Sequence, residues 1–126
     1  RVKAINTRLA ELGNQFSENV LAEVNASAVL FDDKAQLDGL SESQIATAAE
    51  AAAKAGHPGK YQIALLNTTG QPPLAQLHDR SARERIFKAS VARGGRGGPY
   101  DNTAIVSEVT KLRAELARLL GYANHA

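Results

Sequence analysis

The chain has 126 residues, with 15 Lys and Arg against 13 Asp and Glu, for a formal net charge of +2. That balance argues against a dedicated polyanion partner, and the absence of cysteine excludes disulfides and thiolate metal sites. Hydrophobic residues make up 44% but aromatics only 5%, so close packing of small helices is expected rather than a few large anchors.

No run approaches the roughly 18–20 apolar residues of a membrane span. Arg1-Val2-Lys3 leads straight into a helical pattern, and no signal peptide is read from it. Methionine is missing even at position 1, so an internal piece or a processed product of a longer protein is expected.

Val2, Ile5, Leu9, Leu12, Phe16, Val20 and Val24 recur at steps of three and four, an apolar stripe on a helix of about six turns. Gly13 interrupts that helix and marks a possible close approach by a neighbour. Ser27 to Asp33 ("SAVLFDD") and Tyr61 to Leu66 ("YQIALL") are short apolar runs bounded by turn residues. Each is too short to stand alone, so they are expected to pair. Between them, Ser41 and Gln44 have capping-box spacing ahead of an alanine-rich helix that stops at Gly56.

Pro72-Pro73 is expected to exclude regular structure at its own position. A further helix begins near Asp79 or Ser81, with Ile86, Phe87, Ser90 and Val91 as its inner face and Gly94 as its stop. The last helix opens around Asp101-Asn102-Thr103, carries Ile105, Val109, Leu112, Leu116, Leu119 and Leu120, and closes at Gly121. The expected fold is mainly α: one helical domain over residues 1–126 with a small two-stranded β-ribbon.

Candidate chemistry is sparse. His57, His78 and His125 each stand alone, none in a His-Glu-x-x-His helix, and structural or solvated roles outweigh metal ligation. Ser41 and Ser81 are explained as helix caps, and no Gly-x-Ser-x-Gly elbow occurs. Asp32-Asp33 could be a general acid and base, but a solvated strand end is the commoner outcome. Asn25-Ala26-Ser27 and Asn67-Thr68-Thr69 match glycosylation sequons that nothing else supports.

Arg80, Arg83, Arg85, Lys88, Arg93 and Arg96 form the most basic stretch, with glycines around Arg96. A nucleic-acid binder would lose salt-sensitive affinity on replacement of Arg93 and Arg96. Aromatic stacking platforms are nearly missing, however, with only Tyr100 nearby. The glycines lack a Walker lysine and follow a helix rather than a strand. A solvated helix face and a turn are expected, with the loop arginines facing solvent.

Three segments carry a family resemblance: Asn67 to Ser90 ("NTTGQPPLAQLHDRSARERIFKAS"), Asp101 to Ala126 with the glycine turn before it, and Leu9 to Leu21 ("LAELGNQFSENVL"). They resemble the peptidyl-dipeptidases (dipeptidyl carboxypeptidases), placed in the thimet-oligopeptidase-like zinc metallopeptidase family alongside oligopeptidase A. The most specific pieces are the Asn-Thr-Thr-x-Gln-Pro run, the Asp-Arg-x-x-Arg-Glu helix start and the closing Leu-Leu-Gly-Tyr.

The resemblance implies a large helical enzyme that holds zinc on a His-Glu-x-x-His helix and a later glutamate. It implies hydrolysis of short peptides with release of C-terminal dipeptides. Those motifs lie beyond the point corresponding to Ala126, so no catalytic, cofactor-binding or metal residue carries over. The chain is then expected to be a non-catalytic fragment without zinc of its own. Its partners would be the catalytic half of the same polypeptide and, for the parent, short peptides, with no nucleic acid or membrane.

A cytoplasmic location is expected, and an exported parent stays open. Such a fragment should expose apolar surface that the parent covers. The alternative is a stand-alone helical interaction module that presents Leu112, Leu116 and Leu119 to a partner.

Overall fold

The structure, a computed structural model, describes residues 1–68 and 70–126. These form five α-helices, one 3-10 turn and a two-stranded antiparallel sheet, mainly α with a small ribbon as expected. No described helix is long and apolar enough to cross a membrane. Two compact units divide the chain: Glu23–Arg93, and Arg1–Ala22 with Gly94–Ala126.

The Glu23–Arg93 unit is built on the ribbon. Strand β1 (Val29–Phe31) pairs antiparallel with β2 (Tyr61–Ile63), Leu30 opposite Gln62. Both strands are shorter than the apolar runs suggested, and Leu65 is buried just beyond β2. A ribbon of this size cannot persist alone. It is held by α2 (Glu42–Lys54), which packs on β2 through buried Ile45, Ala48 and Ala52. Alanine at two of these positions lets the helix axis approach closely.

The ends of α2 are those the sequence suggests. Ser41 Oγ accepts from the Gln44 N–H at 3.2 Å, and Gln44 Oε1 accepts from the Ser41 N–H at 2.8 Å. At the other end Gly56 takes a φ of +87°, and the His57 N–H returns to the Ala52 carbonyl at 2.8 Å. Only glycine adopts that backbone without strain.

Phe31, Leu37, Leu65, Ala82 and Ile86 lie at the centre of this core, almost fully excluded from water. Burial of each large side chain contributes about 1.5–3 kcal/mol before entropy is counted. Leu37 closes a 3-10 turn (Lys34–Leu37) that Asp33 caps through the Ala35 N–H.

Three expectations need correction here. Pro73 does not exclude regular structure but opens a short helix, α3 (Pro73–Gln76). The first helical position has no intrahelical use for an N–H, so proline costs little there. Helix α4 (Arg80–Val91) is capped by Asp79, whose Oδ1 accepts from the Ser81 and Ala82 N–H groups at 2.7 and 3.3 Å. Ser81 sits inside the first turn and caps nothing. The buried face of α4 is Ala82, Ile86 and Ser90, whereas Phe87 and Val91 are 55% and 65% exposed. The sequence pattern fits two overlapping stripes, and the smaller residues form the inner one.

In the second unit, α1 (Val2–Ala26, its last turn belonging to the first unit) runs antiparallel to α5 (Thr103–Leu119). Ile5, Leu12, Ile105 and Ala117 are buried between water-facing sides. The turn before α5 uses Asp101, whose carboxylate accepts from the Thr103 and Gly97 N–H groups at 2.8 and 2.7 Å. The Thr103 side chain, by hydrogen bonding to it, and then these two backbone bonds hold the Asp101 carboxyl below the usual carboxylate range.

Asn102, at the cap position, turns its side chain away from the helix end. Its Oδ1 accepts from Asn19 Nδ2 at 2.9 Å, and its Nδ2 donates to the Phe16 carbonyl at 3.3 Å. Gly121 ends α5 with a φ of +82°, and the Tyr122 N–H returns to the Ala117 carbonyl. Leu119 and Leu120, expected on the buried stripe, are about half exposed.

Candidate functional site

The basic stretch of α4 does not present a free cationic face. Arg83 Nη1 donates to the Leu77 and His78 carbonyls at 2.7 and 2.8 Å. Arg85 bonds the Leu30 carbonyl and lays its guanidinium over the Phe31 ring, 4.5 Å from the centroid. Lys88 pairs with Glu84 one turn back. Arg93, expected to face solvent, turns inward. Its Nε donates to the Ser90 carbonyl at 3.0 Å, and its two Nη groups take the Leu66 and Thr68 carbonyls.

Gln71 completes that arrangement. Its Oε1 accepts from the Leu66 N–H at 2.9 Å, and its Nε2 donates to the Leu66 carbonyl at 3.0 Å and to Ser90 Oγ at 3.2 Å. The side-chain amide thus stands in for a neighbouring peptide where the chain has left β2. Gln71 and Arg93 therefore form a structural clasp on the Leu66 and Thr68 backbone, with Thr69 of the sequon outside the described residues.

The remaining sequence candidates are dispersed. Asp32 pairs with Lys60 at 2.8 Å, which holds its carboxyl below the usual range, while Asp33 serves the 3-10 turn. His78 Nδ1 lies 3.0 Å from Asp38 Oδ2, both side chains 72% exposed. Among the described residues no group of three or more His, Cys, Asp or Glu side chains could hold a metal ion.

What the sequence did not reveal is a groove in the α1–α5 unit. Leu9, Leu12, Gly13 and Phe16 on one helix face Ile105, Val106, Val109, Thr110 and Arg113 on the other, around about 400 Å³ of open space. The expected close approach at Gly13 is absent: a Cβ there would meet nothing within 4 Å. The opposite edge of the pair is closed by two guanidinium–carboxylate forks. Arg8 meets Glu108 at 2.6 and 3.0 Å, and Arg1 meets Glu115 at 2.6 and 2.8 Å. Each glutamate is held below its ordinary range, chiefly by the arginine's hydrogen bond. The a/d-type spacing of Leu9 and Phe16 was the visible signal, but periodicity cannot tell a covered stripe from an open one.

No family model matches the chain. It is 41% identical over 126 residues to dipeptidyl carboxypeptidase of Escherichia coli and 43% identical to that of Salmonella typhimurium. It is 38% identical over 130 aligned residues to oligopeptidase A of Salmonella typhimurium. Each match takes in the whole of this chain. The chain is related over its full length to the dipeptidyl carboxypeptidase and oligopeptidase A family.

The chain spans only 18–19% of the length of these curated relatives. The names of these relatives are those of peptidases, hydrolases of the peptide bond. Zinc of the kind the resemblance implies finds no ligand set among the described residues. The Gln71 amide gives a physical role to part of the run that carries the resemblance, since it ties the backbone at Leu66 to Ser90 of α4.

Proposed function

We propose that this chain is a non-catalytic helical segment of a larger zinc peptidase of the dipeptidyl carboxypeptidase type. One observation carries the reading: similarity across all 126 residues to enzymes of which those residues make up 18%. The parent would hydrolyse short peptides and release C-terminal dipeptides, using a zinc site in its remaining length. The segment would contribute scaffold and would take the catalytic half of its own polypeptide as partner, with no nucleic acid or membrane involved. A cytoplasmic location goes with this reading.

Exposed apolar residues support a segment that is covered elsewhere. Phe87 and Val91 lie one turn apart on α4, and Phe16 and Val106 border the α1–α5 groove. Monomeric surfaces rarely leave such groups contiguous and uncovered.

The test measures zinc content and dipeptide release from a blocked tetrapeptide, for residues 1–126 and for the polypeptide encoded by the complete gene. Zinc-dependent release by the longer polypeptide alone is expected. Stoichiometric zinc with turnover in the 126-residue chain would overturn the proposal, as would a longer polypeptide without peptidase activity.

A further inference from the structure

The α1–α5 pair is finished along one edge and unfinished along the other. Along the first, the Arg8–Glu108 and Arg1–Glu115 forks close the seam. Along the second, Leu9, Phe16, Val106 and Val109 leave an apolar groove in which Phe16 is 39% and Val106 52% exposed. Gly13 widens it, because no side chain projects there and none would be obstructed.

The length of the groove suits one kind of occupant. Leu9 to Phe16 spans about two helical turns, roughly 10 Å of rise. An amphipathic helix laid along such a seam inserts side chains at i, i+3 or i+4, and i+7. Arg113 stands at the rim and has no hydrogen-bond or ion-pair partner among the described residues. A carboxylate on the occupant would meet it.

We propose that this groove seats an amphipathic helix from the part of the same polypeptide outside residues 1–126. That helix would bear aliphatic anchors at this spacing and an acidic residue opposite Arg113. The proposal rests on the reading that the chain belongs to a longer peptidase. The length of the relatives supplies the reason to look there: four-fifths of a comparable polypeptide lies outside this stretch. A second copy of this chain is a poorer occupant. Two concave grooves cannot fill each other, and a symmetric pairing would bring one Arg113 towards its equivalent.

Gly13→Cys places a thiol in the groove of a chain that has no cysteine. Its maleimide labelling rate, read by peptide mapping, is compared between the 126-residue chain and the full-length polypeptide, both native. Labelling at least about tenfold slower in the longer polypeptide is expected, with equal rates in denaturant. Arg113→Glu should restore much of the lost rate in the longer polypeptide, and Arg113→Lys should not. If Gly13→Cys fails to fold, Val106→Cys reports the same surface.

Equal native rates would overturn the proposal. Protection in the 126-residue chain that grows with its concentration would overturn it in favour of self-association. An unchanged rate on Arg113→Glu would overturn the acidic occupant. Labelling does not depend on turnover, so a peptidase assay that fails while protection holds would sink only the functional reading.

Discussion

Gln71 and Ser90 meet inside the Glu23–Arg93 unit, the amide Nε2 donating to the hydroxyl at 3.2 Å with both residues almost wholly buried. The contact fixes the segment after β2 to the C-terminal half of α4. Arg93 reinforces it from one turn further on by bonding the carbonyls of Leu66 and Thr68. A stretch that reads in sequence as a cationic patch is thereby used largely to satisfy backbone acceptors.

Gln71→Leu should therefore destabilise the chain by about 1–3 kcal/mol, because the Leu66 N–H loses its acceptor and the buried Ser90 hydroxyl loses its donor, while Arg93 still holds the Leu66 carbonyl. Gln71→Glu should cost a similar amount, since a carboxylate cannot donate to the Leu66 carbonyl. Urea unfolding followed by far-UV circular dichroism reads the midpoint. An unchanged midpoint in both variants would show that the clasp carries no energy.

Arg93→Lys should release the loop nearly as fully as Arg93→Ala. One ammonium cannot reproduce a planar fork onto two carbonyls. Limited proteolysis between Leu66 and Gln71 should accelerate in both variants, with little change elsewhere. Binding of a DNA or RNA oligonucleotide at low salt should be negligible before and after the change. Salt-sensitive binding lost in Arg93→Ala would revive the nucleic-acid reading.

Two glycines should respond in opposite directions. At Gly39, with φ +103°, a Cβ would lie 2.0 Å from the Gln76 carbonyl oxygen, and that atom is backbone. Gly39→Ala should cost at least about 2 kcal/mol through clash and left-handed strain together. At Gly13, inside α1, nothing lies within 4 Å of the added carbon. Gly13→Ala should stabilise the 126-residue chain by about 0.5–1 kcal/mol through helix propensity alone. Destabilisation at Gly13 would mean that the groove is narrower in solution than the structure has it.

These residues also mark where the sequence was readable. Ser41–Gln44, Gly56 and Gly121 act through local backbone geometry, so their spacing alone specified caps and stops that the structure contains. The two strands were visible because turn residues bracket them, though their lengths depended on pairing. Asp79 and Ser81 both satisfied local rules, and the hydrogen bonds chose Asp79. Phe87 and Val91 were misread because apolar periodicity reports that a face is apolar and cannot say what covers it. Gln71, Arg93 and the groove depend on residues far apart in the chain, and no local pattern encodes those distances.

The arginine forks of the α1–α5 pair make its stability pH-dependent in a defined direction. Hydrogen bonds from Arg8 and Arg1 hold Glu108 and Glu115 below the ordinary glutamate value of about 4.3. A carboxyl group that binds its proton less readily when folded stabilises the fold above its unfolded pKa. It loses that contribution as pH falls through the folded value. The contribution should therefore be complete near neutral pH and vanish in acid. Both pairs are solvent-exposed, so the effect should also shrink in high salt. Glu108→Gln with Glu115→Gln should lower the urea midpoint near neutral pH, and the gap from the parent should shrink as pH falls through the carboxylate range. Measuring both midpoints across that range decides the matter. A gap between parent and variant that persists undiminished in acid would show that shape or packing, rather than the two charges, joins these helices.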